Sequence, residues 1–381
     1  MRCHPAFVVA VLGALAAEAP LGAQASITSW TRIADVMVQR FGLQRGERVL
    51  LVGLPGTADS LVPALRAAIV RAGGTDLGAV AVQGDWPGAW DTDFTQRLRA
   101  TNAAEIAELL DDVDLGVMLP GVTALAPIYA AFQEKLRDQE GRTVHFHWAG
   151  AYRTDGTLFE PTATVDAHYQ RVILETDYTA LAARQREFEQ AMRTGEVRVT
   201  TPSGTDLRFR IGDRPVTRQD GDASAARAAR GRSLIDREVE LPAGAVRVAP
   251  IEESVEGTIV FPPGDWGGER VEGLRMTFTR GKVVAVEATS GRAGVDRELQ
   301  QAGPGARAFR EFALGFNPLL AVRTDDGDPW IPYYGYGAGV VRLSLGDNTE
   351  LGGSVGGGYV RWNFFTDATV TIDGKRWSPQ P

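Results

Sequence analysis

Gly46-Glu47-Arg48-Val49-Leu50-Leu51-Val52-Gly53 is the stretch that decides the fold. A turn-forming glycine and two charged residues lead straight into a short, continuous apolar run. A strand with no polar face is covered on both sides, as the inner strands of parallel sheets are. Working outward, the chain alternates. Upstream, Ile33, Val36, Met37 and Phe41 recur at helical spacing. Downstream, 61–72 reads as a helix closed by Gly73-Gly74, 79–82 as a strand, and 103–110 as a helix. Then come a strand at 113–119, a helix at 126–137 with Pro127 in its first turn, and a strand at 143–148. Strands alternating with helices predict a doubly wound, mainly parallel α/β domain over 29–177.

The pattern changes after 177. Residues 178–193 form an amphipathic polar helix, and 178–195 is expected to connect two domains. Short, turn-bounded strands follow at 197–200, 206–211, 245–248, 257–261, 273–278 and 282–287. A helix is expected at 297–312 and a polar loop at 213–236. The second domain, 196–381, is therefore expected to be strand-rich α+β.

The net charge of -8 gives no basic surface for nucleic acid. Residues 1–25 read as a signal peptide: Arg2, an apolar run over 6–17, and the small residues Ala23 and Ala25 flanking Gln24. The run is too short to span a bilayer. Export to the periplasm or medium is expected. Cys3 is the one cysteine and lies within this segment, so the mature chain has no thiol for disulfides, metal or nucleophilic attack.

Few constellations carry chemistry. Gly53-Leu54-Pro55-Gly56 lacks the third glycine of a dinucleotide fingerprint, and Pro55 removes a phosphate-facing donor. His145 and His147 share one face of a strand, either as the start of a metal site or as a pair bonded to neighbours. His168 is expected to pack at the domain junction. Glu252-Glu253 resembles a carboxylate pair, yet alternation sends the two to opposite faces. Tyr333, Tyr334 and Tyr336, set among glycines, suit either a cleft lining or a packed loop.

Several separated segments resemble one family in the right order. Residues 41–50, FGLQRGERVL, are similar to its opening helix-to-strand step. Residues 200–207, TTPSGTDL, resemble its P-x-G-T-D-L hairpin. LPAG at 241–244 with EESVEGTIV at 252–260, and EFALGFNP at 311–318, look like its two most specific motifs. On these residues the chain is similar to the aminopeptidase T/aminopeptidase S metallopeptidases. The resemblance implies an α/β domain followed by a domain with a two-metal site, homodimers, and release of N-terminal amino acids. A related ring-cleaving dioxygenase branch uses the same pocket with iron.

The resemblance also implies ligand positions, and most are changed. The first glutamate falls on Ala245, and the second is kept as Glu311. The first histidine falls on Arg342, and the closing H-W-D on Arg361-Trp362-Asn363. Arginine is always charged and cannot ligate. The expectation is that Glu311, Arg342 and Arg361 form an ion-pair network with no metal cofactor. The exported protein would then bind a peptide or small carboxylate through Arg342, Arg361 and Asn363, with Tyr333, Tyr334 and Tyr336 lining the cleft. Two alternatives stand beside it. One is an active aminopeptidase with Zn, Co or Mn on Glu311, Glu252, Glu253 and one of the histidines. The other is a metal-independent enzyme with Glu311 as general base.

Overall fold

Arg48–Gly53 forms an inner strand of a five-stranded, wholly parallel sheet. It lies between Thr75–Ala81 and Leu115–Met118; Arg142–Phe146 and then Glu238–Leu241 complete the order. Val49 and Leu51 face helices Trp30–Phe41 and Leu61–Arg71, while Leu50 and Val52 face Asp93–Arg99 and Pro127–Arg137. Both faces are thus buried, which is why the run contains no polar residue. The computed structural model describes residues 28–101, 103–148, 150–154, 157–158, 162–324 and 329–377. The expected signal peptide and Cys3 lie outside the described residues.

The second half packs two antiparallel sheets face to face. One runs in the order Val360–Phe365, Val341–Gly346, Phe309–Gly315, Ala245–Val248, Val216–Arg218. The other has seven strands, with Glu256–Val260, Asp206–Phe209 and Val197–Thr200 at its centre. Val246, Val248, Phe312, Leu314, Leu343 and Leu345 meet Val199, Leu207, Phe209, Ile259 and Met276 in one core. Among the described residues, no helix is long and apolar enough to cross a membrane.

Three expectations need correcting. The helix expected at 297–312 is Arg292–Gln301, and 309–315 is a fully buried strand. Gly303, at φ 82°, and Pro304 end the helical run. The stretch 213–236, expected as a loop, contains strand Val216–Arg218 at a sheet edge and the short helix Ala225–Ala228. The division at 195/196 is crossed by the chain: Glu238–Leu241 returns to finish the first sheet, and Trp330–Pro332 pairs with Ala151–Arg153. Val239 and Leu241 join the helix-covered core of that sheet. Alternation sends Glu238 and Glu240 the other way, Glu238 toward Gln133 of helix Pro127–Arg137 and Glu240 toward Arg247 and Tyr333 of the second domain.

Candidate functional site

Strand register gathers the site. Arg247, Ala313, Arg342 and Phe364 form one cross-strand row of the five-stranded sheet, and Glu311, Ser344 and Trp362 the next. These rows lie on the face opposite the core residues, and that face looks onto Glu240 of the first sheet. Glu311 is fully buried. Its Oε1 accepts from Arg247 Nε at 2.5 Å and from Arg342 Nη2 at 2.9 Å. Its Oε2 accepts from Arg310 Nη1 at 2.5 Å. Arg310 and Arg247 also bond Glu350, and Arg247 Nη1 lies 3.6 Å from Glu240. Tyr333 donates its hydroxyl proton to Glu240. Three guanidiniums thus face three carboxylates.

Burial opposes charge on Glu311, and Arg247, Arg342 and Arg310 overcome it. They hold the carboxyl well below the usual carboxylate range. Such a group is a poor general base, because its affinity for a proton is small and its lone pairs are engaged. Glu240 is also held low: Arg247 and His147 outweigh its burial. Burial raises Glu238, which accepts from Gln133 at 2.5 Å and has His145 Nε2 at 3.5 Å. Burial lowers His147 to about 4, despite the nearby Glu240. The histidine pair therefore sits against the glutamates of the neighbouring strand. His168 packs edge-on to Trp330 at the domain junction, as expected.

The family's two metals do not fit these residues. Ala245 offers no donor, Glu311 has both oxygens occupied, and Arg342 brings a cation where a ligand is needed. Each guanidinium at ~5 Å opposes a metal by about 3 kcal/mol per unit of metal charge at an effective dielectric of ~20. Among the described residues, no three His, Cys, Asp or Glu side chains gather in a way that could hold an ion.

The expected network is met in part. Arg342 binds Glu311, but Arg361 does not. Strand period two puts Arg361 and Asn363 opposite Leu345 and Leu343, on the other face. Arg361 instead bonds Glu298 at 2.8 Å and the Asp265 carbonyl at 2.6 Å, with its guanidinium over Trp266. Asn363 donates to the Leu343 carbonyl at 3.2 Å. Trp362 takes the inward place and covers Arg342 at 4.8 Å. Arg342 Nη1 also donates to the Tyr334 carbonyl at 3.2 Å. Glu252 is held by Arg214, Asn348 and Ser354, and Glu253 is exposed; neither is a partner of Glu311.

Two arginines of the network escaped the sequence reading. Arg247 was legible, being two residues after Ala245 on a strand and so on the same face. Arg310 was not, because a register shift between Phe309 and Glu311 turns both neighbours to one side. Tyr333 and Tyr336 are buried in the seam with Ala245, and Tyr334 is half-buried. Tyr333 and Tyr334 hold φ of 30° and 36°, an unfavourable region for residues with a side chain, and their packing maintains it.

The network reaches solvent at one side. A cavity of about 570 Å³ opens between helix Pro127–Arg137 and the segment 347–360. Tyr129, Gln133, Glu134 and Arg137 line one wall, and Arg310 and Glu350 the other. The tyrosines 333, 334 and 336 are not among its lining residues.

Comparisons with known proteins agree with this architecture. The family profile described as thermophilic metalloprotease (M29) matches residues 176–321. The 2,5-dihydroxypyridine dioxygenase of Pseudomonas putida KT2440 is similar in structure, with a TM-score of 0.61 and 17% identity over 91% of this chain and 94% of that one. Wild-type AmpT from Thermus thermophilus is similar with a TM-score of 0.57 and 19% identity, over 91% of this chain and 96% of that one. No curated protein matches the chain. The segment 176–321 thus matches the thermophilic metalloprotease (M29) profile, within a fold that AmpT shares along nine-tenths of the chain.

Proposed function

We propose that this chain is an exported, metal-independent member of the family that binds peptides in the cleft between its two domains. One observation carries the reading: both oxygens of Glu311, the single retained ligand position, accept hydrogen bonds from three buried guanidiniums. The family's chemistry needs carboxylates and imidazoles free to offset about four positive charges. Here that role passes to arginines, and the charge is already balanced without an ion.

The cleft favours a peptide over a lone carboxylate. Glu134 and Glu350 stand on opposite walls and Arg137 lines the same space. Both signs are offered, as a zwitterionic chain with an ammonium and a carboxylate end requires. Apolar Ala124, Ala130 and Val360 supply contact between them.

Metal analysis tests the reading. After dialysis against zinc or manganese and removal of free ion, the protein is expected to hold well under one ion per chain. It is expected to release no amino acid from leucine or arginine anilides. Two ions per chain, or a peptidase activity that a chelator abolishes, would overturn it.

A further inference from the structure

Beside the cleft lies a second cavity, of about 340 Å³, against the edge strand Val360–Phe365. Its walls are aromatic: Tyr152, Trp266, Trp362 and Phe364, with Pro262. Tyr152 packs on Phe364 at 5.3 Å, and Trp362 on Tyr334 at 4.9 Å, so the rings are held as a preformed box. Trp362 nevertheless leaves 36% of its surface in solvent, among the largest exposed apolar groups described. A tryptophan kept partly open above a ready-made aromatic pocket has surface left for a further ring. The volume is near the lower limit for ligand pockets, ~300 Å³, and suits one large side chain rather than a whole ligand.

Charge narrows the occupant. Arg361 is on the wall, but its charge is already paired with Glu298, and it also donates to the Asp265 carbonyl. The exposed carboxylate of Asp265 stands at the same wall and opposes an acidic group. A neutral occupant is left. Val360 lines both this cavity and the interdomain cleft, so the two share a wall.

We infer that this cavity is a side-chain subsite for an aromatic residue of the bound peptide. The inference rests on the peptide-binding reading of the cleft. The ring of the peptide stacks on Trp362 and Tyr152 while its backbone crosses Val360. Aromatic pairs of this kind strengthen binding about tenfold beyond the area they bury.

Calorimetry with tetra-alanine and with a series carrying phenylalanine at each position in turn tests this. At one position phenylalanine is expected to bind at least ten times tighter than alanine, and aspartate at that position no tighter. Trp362→Ala is expected to bring the phenylalanine-to-alanine ratio to about one, and Trp362→Phe to preserve most of it. Thr157→Trp, which fills the cavity from an exposed position, is expected to abolish the ratio too, and decides the matter if Trp362→Ala does not fold. Peptides that bind equally well with or without phenylalanine overturn the subsite alone. Failure of every peptide to bind at millimolar concentration overturns the cleft reading and the subsite with it.

Discussion

Glu311→Gln is expected to cost about 3–5 kcal/mol of folding stability, read from urea or guanidinium unfolding. The substitution keeps the shape of the side chain and removes its charge. Arg247, Arg310 and Arg342 are then left with Glu240 and Glu350, so one buried guanidinium charge has no counterpart. Solvent does not repair this, because Arg310 and Arg342 are about 1% exposed. Breaking a buried pair from one side is costly, whereas replacing the whole cluster with apolar groups of similar volume is frequently neutral. The combined Glu311→Leu, Arg342→Met protein, which leaves two guanidiniums facing two carboxylates, is therefore expected to recover much of the loss. A Glu311→Gln effect below 1 kcal/mol would show that water reaches the network and that the charges are not mutually dependent.

Stability is expected to fall as pH drops from about 6.5 toward 4. His147 has a folded value of about 4 against ~6.5 in an unfolded chain. Between those values the unfolded state binds more protons, so stability rises with pH there and is lost on acidification. The gap corresponds to roughly 3 kcal/mol for His147. The groups around this ring are Glu240, His145, Tyr333 and Tyr334. His168, also lowered to about 4 by burial and by Arg323 and Arg171, adds in the same direction. Its Nδ1 lies 3.1 Å from an Arg323 nitrogen that can only donate, so the neutral ring is favoured. Glu311 contributes below this window: its folded value is depressed, so its stabilisation is complete above the usual carboxylate range and is lost only in stronger acid. Urea unfolding at half-unit pH steps reads the slope. His147→Gln is expected to flatten it between pH 5 and 6.5, and an unchanged slope would remove His147 as its source.

Much of the N-terminal layer was legible because burial on both faces writes itself into composition. The run Val49 to Gly53 admits no polar residue, and its flanking helices repeat at the spacing of one apolar stripe. Glu238–Leu241 escaped for the opposite reason. Its Glu-Val-Glu-Leu pattern is that of a half-exposed strand, yet all four residues are buried, because helix Pro127–Arg137 covers Glu238 and the second domain covers Glu240. The helix misplaced onto 297–312 failed at Phe309 to Phe312. Arg-Glu between two phenylalanines fits helical spacing as well as a strand with a bulge.

The sequence by itself determined which side chains stand where the family resemblance expects metal ligands. Ala245 and Arg342 are readable as single letters, and the chemistry of a methyl group or a guanidinium does not depend on context. It also determined the two kinds of domain, since hydrophobic period is a local property. Only the tertiary structure decided which arginines surround Glu311. Arg361 faces away and Arg247 and Arg310 face in, because side-chain direction depends on register and on one bulge, and neither is encoded within a few residues. The structure likewise decided that Glu240, from a strand of the other sheet, completes the charge balance. Electrostatic pairing in a buried seam is set by what folding brings within a few ångströms, and those partners are separated by up to a hundred residues of chain.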